Sequence, residues 1–365
     1  MSKIDILYIV STLQRSGPTN QLLNIIKNLD LSRFQAKVLT LSEEPNNTRI
    51  DDFLNARIEV SCLKLSRIGS LVKGRKTVEK YIAHHAPDII HTQGIRSDSI
   101  LRKISLTGNC NWVATARNFP EQDYPPKFGL LKGWLMVKQH LKVFRSPNCN
   151  LVACSKSLSE QLTSIGIQNR VIRNGVHATA ISNFSQRVNV PRTFVTVGSL
   201  IPRKNVALLL KAMKSLIDEP DGIILKIVGD GPLRSSLEEE APKNVVFSGE
   251  CDDVDRYLQN SDAFISASMS EGMPNAVLEA LACGLPVLLS DIAPHAEIAD
   301  VVKQYCHLFP LATNQEELAN LMRSFELPST EDRSTIIDLY KQNFTADRMS
   351  GKYQEMYAEL DAQAR

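Results

Sequence analysis

The chain has no run of 18 or more apolar residues, so no segment reads as a spanning helix. It has no low-complexity stretch and no short-period repeat, which sets aside disordered and solenoid classes. Met1 to Val10 lack a basic stretch, a long apolar core and a small-residue cleavage site. They read as a buried strand, and the expected location is the cytoplasm. No Cys-x-x-Cys pair exists among the seven cysteines, Cys62, Cys110, Cys149, Cys154, Cys251, Cys283 and Cys306. The odd count argues against a disulfide framework or structural zinc and for reduced thiols. Basic residues occur without a recognised nucleic-acid module, so nucleic acid is not an expected partner.

At 365 residues the chain suits two domains of about 170 residues each. A net charge of +2 conceals an asymmetry. Residues 1–180 hold 25 Lys and Arg against 13 Asp and Glu, whereas 181–365 hold 17 against 27. Opposite signs suggest two lobes with different partners, or lobes that attract one another.

Apolar, β-rich runs alternate with helical patterns. Strands are predicted at 4–10, 36–41, 58–63, 89–91, 112–116 and 151–155, with helices at 20–29, 71–84, 130–144 and 158–165. Periodicity fails over 174–192, read as a linker, and then restarts. Strands follow at 194–197, 223–228, 245–247, 263–266 and 286–289. Helices follow at 206–217, 233–239, 254–258, 276–282, 316–325 and 346–360. Continuous apolar strands separated by helices predict parallel sheets covered on both faces. The expected domains are 1–175 and 190–345, with a C-terminal helix over 346–365 that could return to the first. Two doubly wound domains facing each other would place a ligand at the carboxyl ends of their strands.

The most informative segment is Ser270-Glu271-Gly272-Met273-Pro274-Asn275, followed by a helix that carries Glu279 and stops near Gly284. Pro274 suits the first helical position and Gly284 the stop. The amides of Asn275 and Ala276 would then offer a diphosphate a helix N-terminus. If helical, the eight-residue spacing spans about 12 Å, enough for one carboxylate to hold hexose hydroxyls and the other a ribose diol. The alternative is an acidic helix start and a solvated Glu279.

Glu271-x7-Glu279 with Gly272, Pro274 and Gly284-Leu285-Pro286-Val287 resembles the signature of the family-4 retaining glycosyltransferases of the GT-B fold. The resemblance covers nearly the whole chain and is most specific over 194–289. It implies an α/β fold of two facing Rossmann-like domains, the second binding a nucleotide-diphosphate sugar and the first an acceptor. Val197-Gly198-Ser199-Leu200-Ile201-Pro202-Arg203-Lys204-Asn205 resembles the family's phosphate-binding turn, with Ser199 where many relatives carry Arg. Lys204, with Arg203 beside it, is the expected clamp on the leaving diphosphate. Gly229-Asp230-Gly231 resembles the next strand-end turn, and Val246-Phe247-Ser248-Gly249 the segment lining the base pocket. In the first domain, Ser16-Gly17-Pro18 matches the family's Gly-rich loop in part, and Gly17 would let amides approach an anion.

By the same resemblance His91 ends a strand as a candidate catalytic group, the alternative being a satisfied core histidine. Arg117, beside Asn118, stands where a His often occurs. An Arg cannot act as a base near neutral pH, so these two are placed on the acceptor side by location alone. Asp253-x-Asp255 mimics a metal-binding pair, but acidic residues at a helix start explain it better. No metal or cofactor is expected.

The resemblance therefore implies a retaining transfer of a hexose to a glycan or lipid-diphosphate-linked glycan, in bacterial surface polysaccharide synthesis such as O-antigen or capsule. The alternatives are a nucleotide-sugar 2-epimerase of the same architecture and an inactive sugar-nucleotide-binding subunit. Lys64, Arg67, Lys73, Arg75, Lys76 and Lys80, and the mixed run from Lys127 through Trp134 to Arg145, offer an anionic inner-membrane leaflet a peripheral contact. An ordinary amphipathic helix packed on its sheet is the other reading of that run.

Overall fold

The computed structural model describes residues 3–106, 108–177, 191–219, 222–251 and 253–364. Residues 178–190 of the predicted linker, and Asp252, lie outside the described residues. The chain forms two compact units, Met1–Gly175 with Ala346–Arg365, and Val176–Thr345.

The first unit is a seven-stranded parallel sheet. Its strands are β1 (Ile4–Val10), β2 (Phe34–Thr40), β3 (Glu59–Cys62), β4 (Ile89–Gln93), β5 (Asn111–Ala116), β6 (Cys149–Ala153) and β7 (Arg170–Val171), in the order β3-β2-β1-β4-β5-β6-β7. The second unit has six: β8 (Arg192–Val197), β9 (Ile223–Val228), β10 (Val245–Gly249), β11 (Ala263–Ser266), β12 (Val287–Ser290) and β13 (Cys306–Phe309). Their order is β10-β9-β8-β11-β12-β13, again all parallel. β4, β11 and β12 are buried along their full length because helices cover both faces, which is why they read as unbroken apolar runs. Each order reverses at one place, between β1 and β4 and between β8 and β11. At such a reversal the two strand-end loops diverge and leave room for a ligand.

The first core joins β1 and the helix Gly17–Lys27 to the C-terminal helix Ala346–Ala364. That helix buries Met349, Tyr353, Met356, Tyr357 and Leu360, a stripe at helical spacing. Ser350 Oγ donates to Ile25 O at 2.8 Å, and Gln354 Nε2 donates to Asn28 O at 3.0 Å. Tyr357 OH lies 3.2 Å from Tyr8 OH, and Tyr353 OH lies 3.1 Å from Thr115 Oγ1. The last segment of sequence thus completes the first core.

Several expectations change. The predicted helix 71–84 is two helices, Arg67–Val72 and Gly74–His85, meeting at Lys73. Unpredicted helices run at Ile50–Asn55, Ile95–Leu101, Pro120–Phe128, Ala293–Val302 and Thr330–Asn343, and β13 was not expected. Pro125 and Pro126 stand inside Pro120–Phe128, where prolines argue against a helix. Close packing offsets their missing N–H groups: a Cβ on Gly133 of the helix Leu130–Phe144 would lie 2.5 Å from Pro125 Cα.

Tyr353→Ala is expected to destabilise the first domain by about 3–4 kcal/mol, the cost of an aromatic-sized core cavity. Urea denaturation followed by tryptophan fluorescence measures it, since Trp112 and Trp134 both lie in this domain.

Candidate active site

In the second unit the site forms at the sheet's order reversal. β8 ends at Val197, and the chain turns through Gly198 at φ 148°. A Cβ at Gly198 would stand 3.3 Å from Lys204 Cε, so only glycine lets the lysine stem lie across the strand end without displacement. At Gly229 a Cβ would lie 2.1 Å from Gly198 O, which makes glycine a packing requirement there. Gly229 N donates to Gly249 O at 2.7 Å, and Gly231 N to Asp230 Oδ1 at 2.6 Å. The amides of Gly229 and Gly231, both expected at the donor with a tight turn as the alternative, are thus engaged within the protein.

The 3-10 turn Pro202–Lys204 ends at Asn205, in left-handed conformation at φ 50°, and the helix Val206–Lys214 follows. Met269 N donates to Arg203 O at 2.8 Å, which ties the loop after β11 to this turn. Glu271, on that loop, receives both cations. Arg203 Nη1 lies 2.7 Å from Oε2, and Lys204 Nζ lies 2.7 Å from Oε1. Arg203 Nη1 also donates to Ser270 O. The Glu271 side chain is only 8% exposed, against 22% and 20% for Arg203 and Lys204. Burial opposes its ionisation, but Lys204 and Arg203 outweigh burial and hold the carboxyl down to about 2. The cluster carries one positive charge in excess, with its carboxylate fixed and its cations reaching toward solvent.

The helix Asn275–Ala282 starts one residue before the predicted range, and Pro274, expected at its first helical position, is instead the N-cap, with ψ 99°. Glu271 to Pro274 are not helical, so the 12 Å helical spacing from Glu271 to Glu279 does not apply. Glu279 is half-buried one turn into the helix, Met273 is buried and Asn275 is half-buried. Gly284, at φ 68°, follows the C-cap Cys283 as expected. Phe247 is half-buried against the second core, while Ser199 is exposed.

Sequence reading missed His295. It lies in the first turn of Ala293–Val302, next to the carboxyl end of β12, and is fully buried. A proline two residues into a helix that follows a strand was the available signal, through Pro294. Burial pushes the His295 imidazole down to about 4.

In the first unit His91, predicted catalytic, is a core histidine. It is fully buried, with Nδ1 2.7 Å from Tyr357 OH and Nε2 2.7 Å from Thr115 Oγ1. Burial pushes it down to about 3, so it is neutral and has both ring nitrogens engaged. Arg117 Nη1 donates to Asn174 Oδ1 at 2.6 Å, and Nη2 donates to Gln93 Oε1 at 3.2 Å. Arg117 Nε and Gln93 Nε2 are buried donors with no acceptor among the described residues. Gln93 and Asn174 were not among the predicted residues. Asn118 is half-buried beside Arg117. Gly17 begins its helix behind the N-cap Ser16, whose Oγ accepts from Thr19 N at 3.4 Å.

Among the described residues no three His, Cys, Asp or Glu side chains gather as a metal-holding group. Asp253 instead caps the helix Val254–Gln259, accepting from Arg256 N at 3.1 Å.

Residues 191–325 match the family described as Glycosyl transferases group 1. Over 373 residues the chain is 24% identical to the O-antigen biosynthesis glycosyltransferase WclY of Escherichia coli, covering 97% of this chain and 98% of that one. It is 28% identical over 317 residues to the UDP-Gal:alpha-D-GlcNAc-diphosphoundecaprenol alpha-1,3-galactosyltransferase of Escherichia coli, covering 80% of each. In fold it is similar to sucrose-phosphate synthase from Thermosynechococcus elongatus, with TM-score 0.80 and 16% identity over 99% of this chain and 100% of the other. It is likewise similar to Anabaena HepE in complex with UDP-glucose, with TM-score 0.77 and 18% identity over 98% and 100%.

The lowered Glu271 carboxyl has a consequence for stability. Its stabilisation is complete above the unfolded value near 4.5 and fades as pH falls toward 2. Glu271→Gln is expected to cost about 2 kcal/mol at pH 7, with the deficit shrinking between pH 5 and pH 3. Paired urea titrations across that range check it; a pH-independent deficit would contradict the ion cluster.

Proposed function

We propose that this chain, a glycosyltransferase by the match of its residues 191–325 and by its full-length relatives, moves a hexose from a nucleoside-diphosphate sugar to a glycan or lipid-diphosphate-linked glycan. One observation carries the reading: Arg203 and Lys204 converge on a buried, ionised Glu271 at the order reversal of the second sheet. A dianionic diphosphate needs cations already in place, and a helix terminus alone adds only about 0.3–1 kcal/mol. Relatives named for O-antigen synthesis and for a diphosphoundecaprenol acceptor favour a bacterial surface polysaccharide as the setting.

In the proposed reaction the bond from the sugar's anomeric carbon to the diphosphate oxygen breaks, and its electron pair leaves with the diphosphate. Lys204 and Arg203 neutralise the charge growing on that leaving group. The acceptor hydroxyl bonds the anomeric carbon on the same face, and its proton passes to the leaving phosphate oxygen. The anomeric configuration is thereby retained without a protein nucleophile. Glu271 holds the two cations in register and stands ready to accept sugar hydroxyls. Its intact pairing speaks against an inactive binding subunit.

We place the protein in the cytoplasm, peripheral on the inner membrane. The helix Leu130–Phe144 packs one face through Gly133, Val137 and His140. Its other face leaves Leu130, Leu131, Trp134 and Leu135 exposed beside exposed Lys132 and Lys138. Ile68, Leu71 and Val72 are exposed on Arg67–Val72 in the same unit. Exposed apolar bulk among lysines suits the headgroup boundary of an anionic bilayer.

Lys204→Ala is expected to lower donor turnover by about 100- to 1,000-fold while circular dichroism stays unchanged. Release of nucleoside diphosphate from a panel of UDP-, GDP- and ADP-hexoses measures it, and near-normal turnover would place the site elsewhere. On vesicles containing phosphatidylglycerol, co-sedimentation should fall about tenfold or more in Leu131→Glu/Leu135→Glu. Equal recovery of variant and wild type would remove the membrane contact.

A further inference from the structure

The hydrogen bonds around His295 fix its tautomer. Nδ1 lies 2.8 Å from Ser290 O, a carbonyl that can only accept, so Nδ1 carries the proton. Ser290 Oγ gives its own hydrogen to Ser268 O at 2.5 Å and stands 3.3 Å from Nδ1 with only lone pairs to offer. Nε2 is therefore a bare lone pair, and it is buried with no hydrogen-bond partner among the described residues. Buried polar atoms in native proteins are nearly always satisfied, so an orphan acceptor points to a donor that arrives with a ligand. Protonation is not the escape: burial and the positive end of the helix Ala293–Val302 both disfavour the cation.

The same bonds join His295 to the site. Ser290 ends β12 and binds Ser268, which follows β11 and lies 3.1 Å from Ser266 through their hydroxyls. Ser268 is three residues before Glu271 and, with Ser266, Gly198 and Lys204, lines a small cavity at the end of β8. The imidazole is thus tied by hydrogen bonds to the wall of that cavity, on the loop that presents Glu271.

We propose that His295 Nε2 accepts a hydrogen bond from a hydroxyl of the transferred sugar, making His295 a donor-specificity residue. This rests on the transferase reading above. A diphosphate offers no hydrogen to a lone pair, whereas a hexose offers several. A neutral imidazole held by Ser290 would discriminate among sugars by which hydroxyl reaches it, and would leave nucleotide binding alone.

The test uses the full chain and the hexose nucleotide that it turns over best. On the wild type, donors with single hydroxyls replaced by hydrogen are compared by kcat/KM, which requires no variant to fold. One deoxy donor should lose about tenfold or more, the scale of one buried hydrogen bond. His295→Phe should lose a similar factor with the parent donor and nothing further with that deoxy donor. His295→Gln, which returns an amide oxygen near the Nε2 position, should recover part of the loss. Affinity for the free nucleoside diphosphate should stay within about twofold in both variants, the range of an unperturbed site. Deoxy donors that lose the same factor on His295→Phe as on wild type would overturn the proposal. So would a variant that weakens nucleoside diphosphate and sugar nucleotide equally. A wild type that turns over no member of the panel overturns the transferase reading, and this one with it.

Discussion

The second domain's site depends on one constraint: a buried carboxylate must stay ionised. Glu271 can do so only because Arg203 and Lys204 each place a cation on one of its oxygens. The reverse also holds. Two cations side by side at the end of a strand repel each other, and the carboxylate between them is what makes their proximity stable. Removing Glu271 leaves two adjacent cations uncompensated, whereas removing either cation leaves the buried carboxylate with a single partner. The backbone serves this arrangement, with glycine at 198 to admit the lysine stem and the hydrogen bond from Met269 N to Arg203 O to tie the two loops.

In the proposed function such a cluster would meet an anion with its cations already oriented by Glu271. Charge stabilisation in catalysis is effective when its dipoles and cations are already oriented, because no reorganisation is then required as charge develops. The same loop after β11 supplies Glu271 and, through Ser268, the hydrogen-bonded path to His295. The proposed charge neutralisation and sugar recognition would thus both depend on the loop after β11, which contacts the cations through Glu271 and His295 through Ser268 and Ser290. A shift of that loop would disturb both together.

Much of this was legible in the sequence, for definite reasons. Most parallel strands appeared because burial on both faces writes nearly continuous apolar runs, as at Ala263–Ser266 and Val287–Ser290. The Glu271 segment appeared because Pro274, Asn275 and Gly284 mark a short helix by its ends. The helix Thr330–Asn343 was missed although Ser329 and Asp332 form a capping box, since its apolar stripe is too thin to show a period. His91 was misassigned for a different reason. Its environment is made by Tyr357, 266 residues away on a helix that closes the first core, and no local pattern records that cover. Local chemistry reads from sequence, whereas burial imposed by a distant segment does not.

The charge distribution needs a reading at the same local scale. The second half of the chain has the excess of Asp and Glu, yet it holds the cluster proposed to bind a diphosphate. The contradiction dissolves with screening, since exposed charges beyond about 8–10 Å contribute little at physiological ionic strength. In the proposed function a donor entering the site would respond to Arg203 and Lys204, not to the acidic surface of the rest of the domain. The excess of Lys and Arg in the first half has a different geometry. Exposed lysines there flank exposed leucines and Trp134 on one helix face, where a planar array of lipid phosphates would meet many cations at once. One half of the chain concentrates positive charge at a point inside an acidic surround. The other spreads it along a surface, and the two arrangements suit a small soluble anion and an extended anionic sheet respectively.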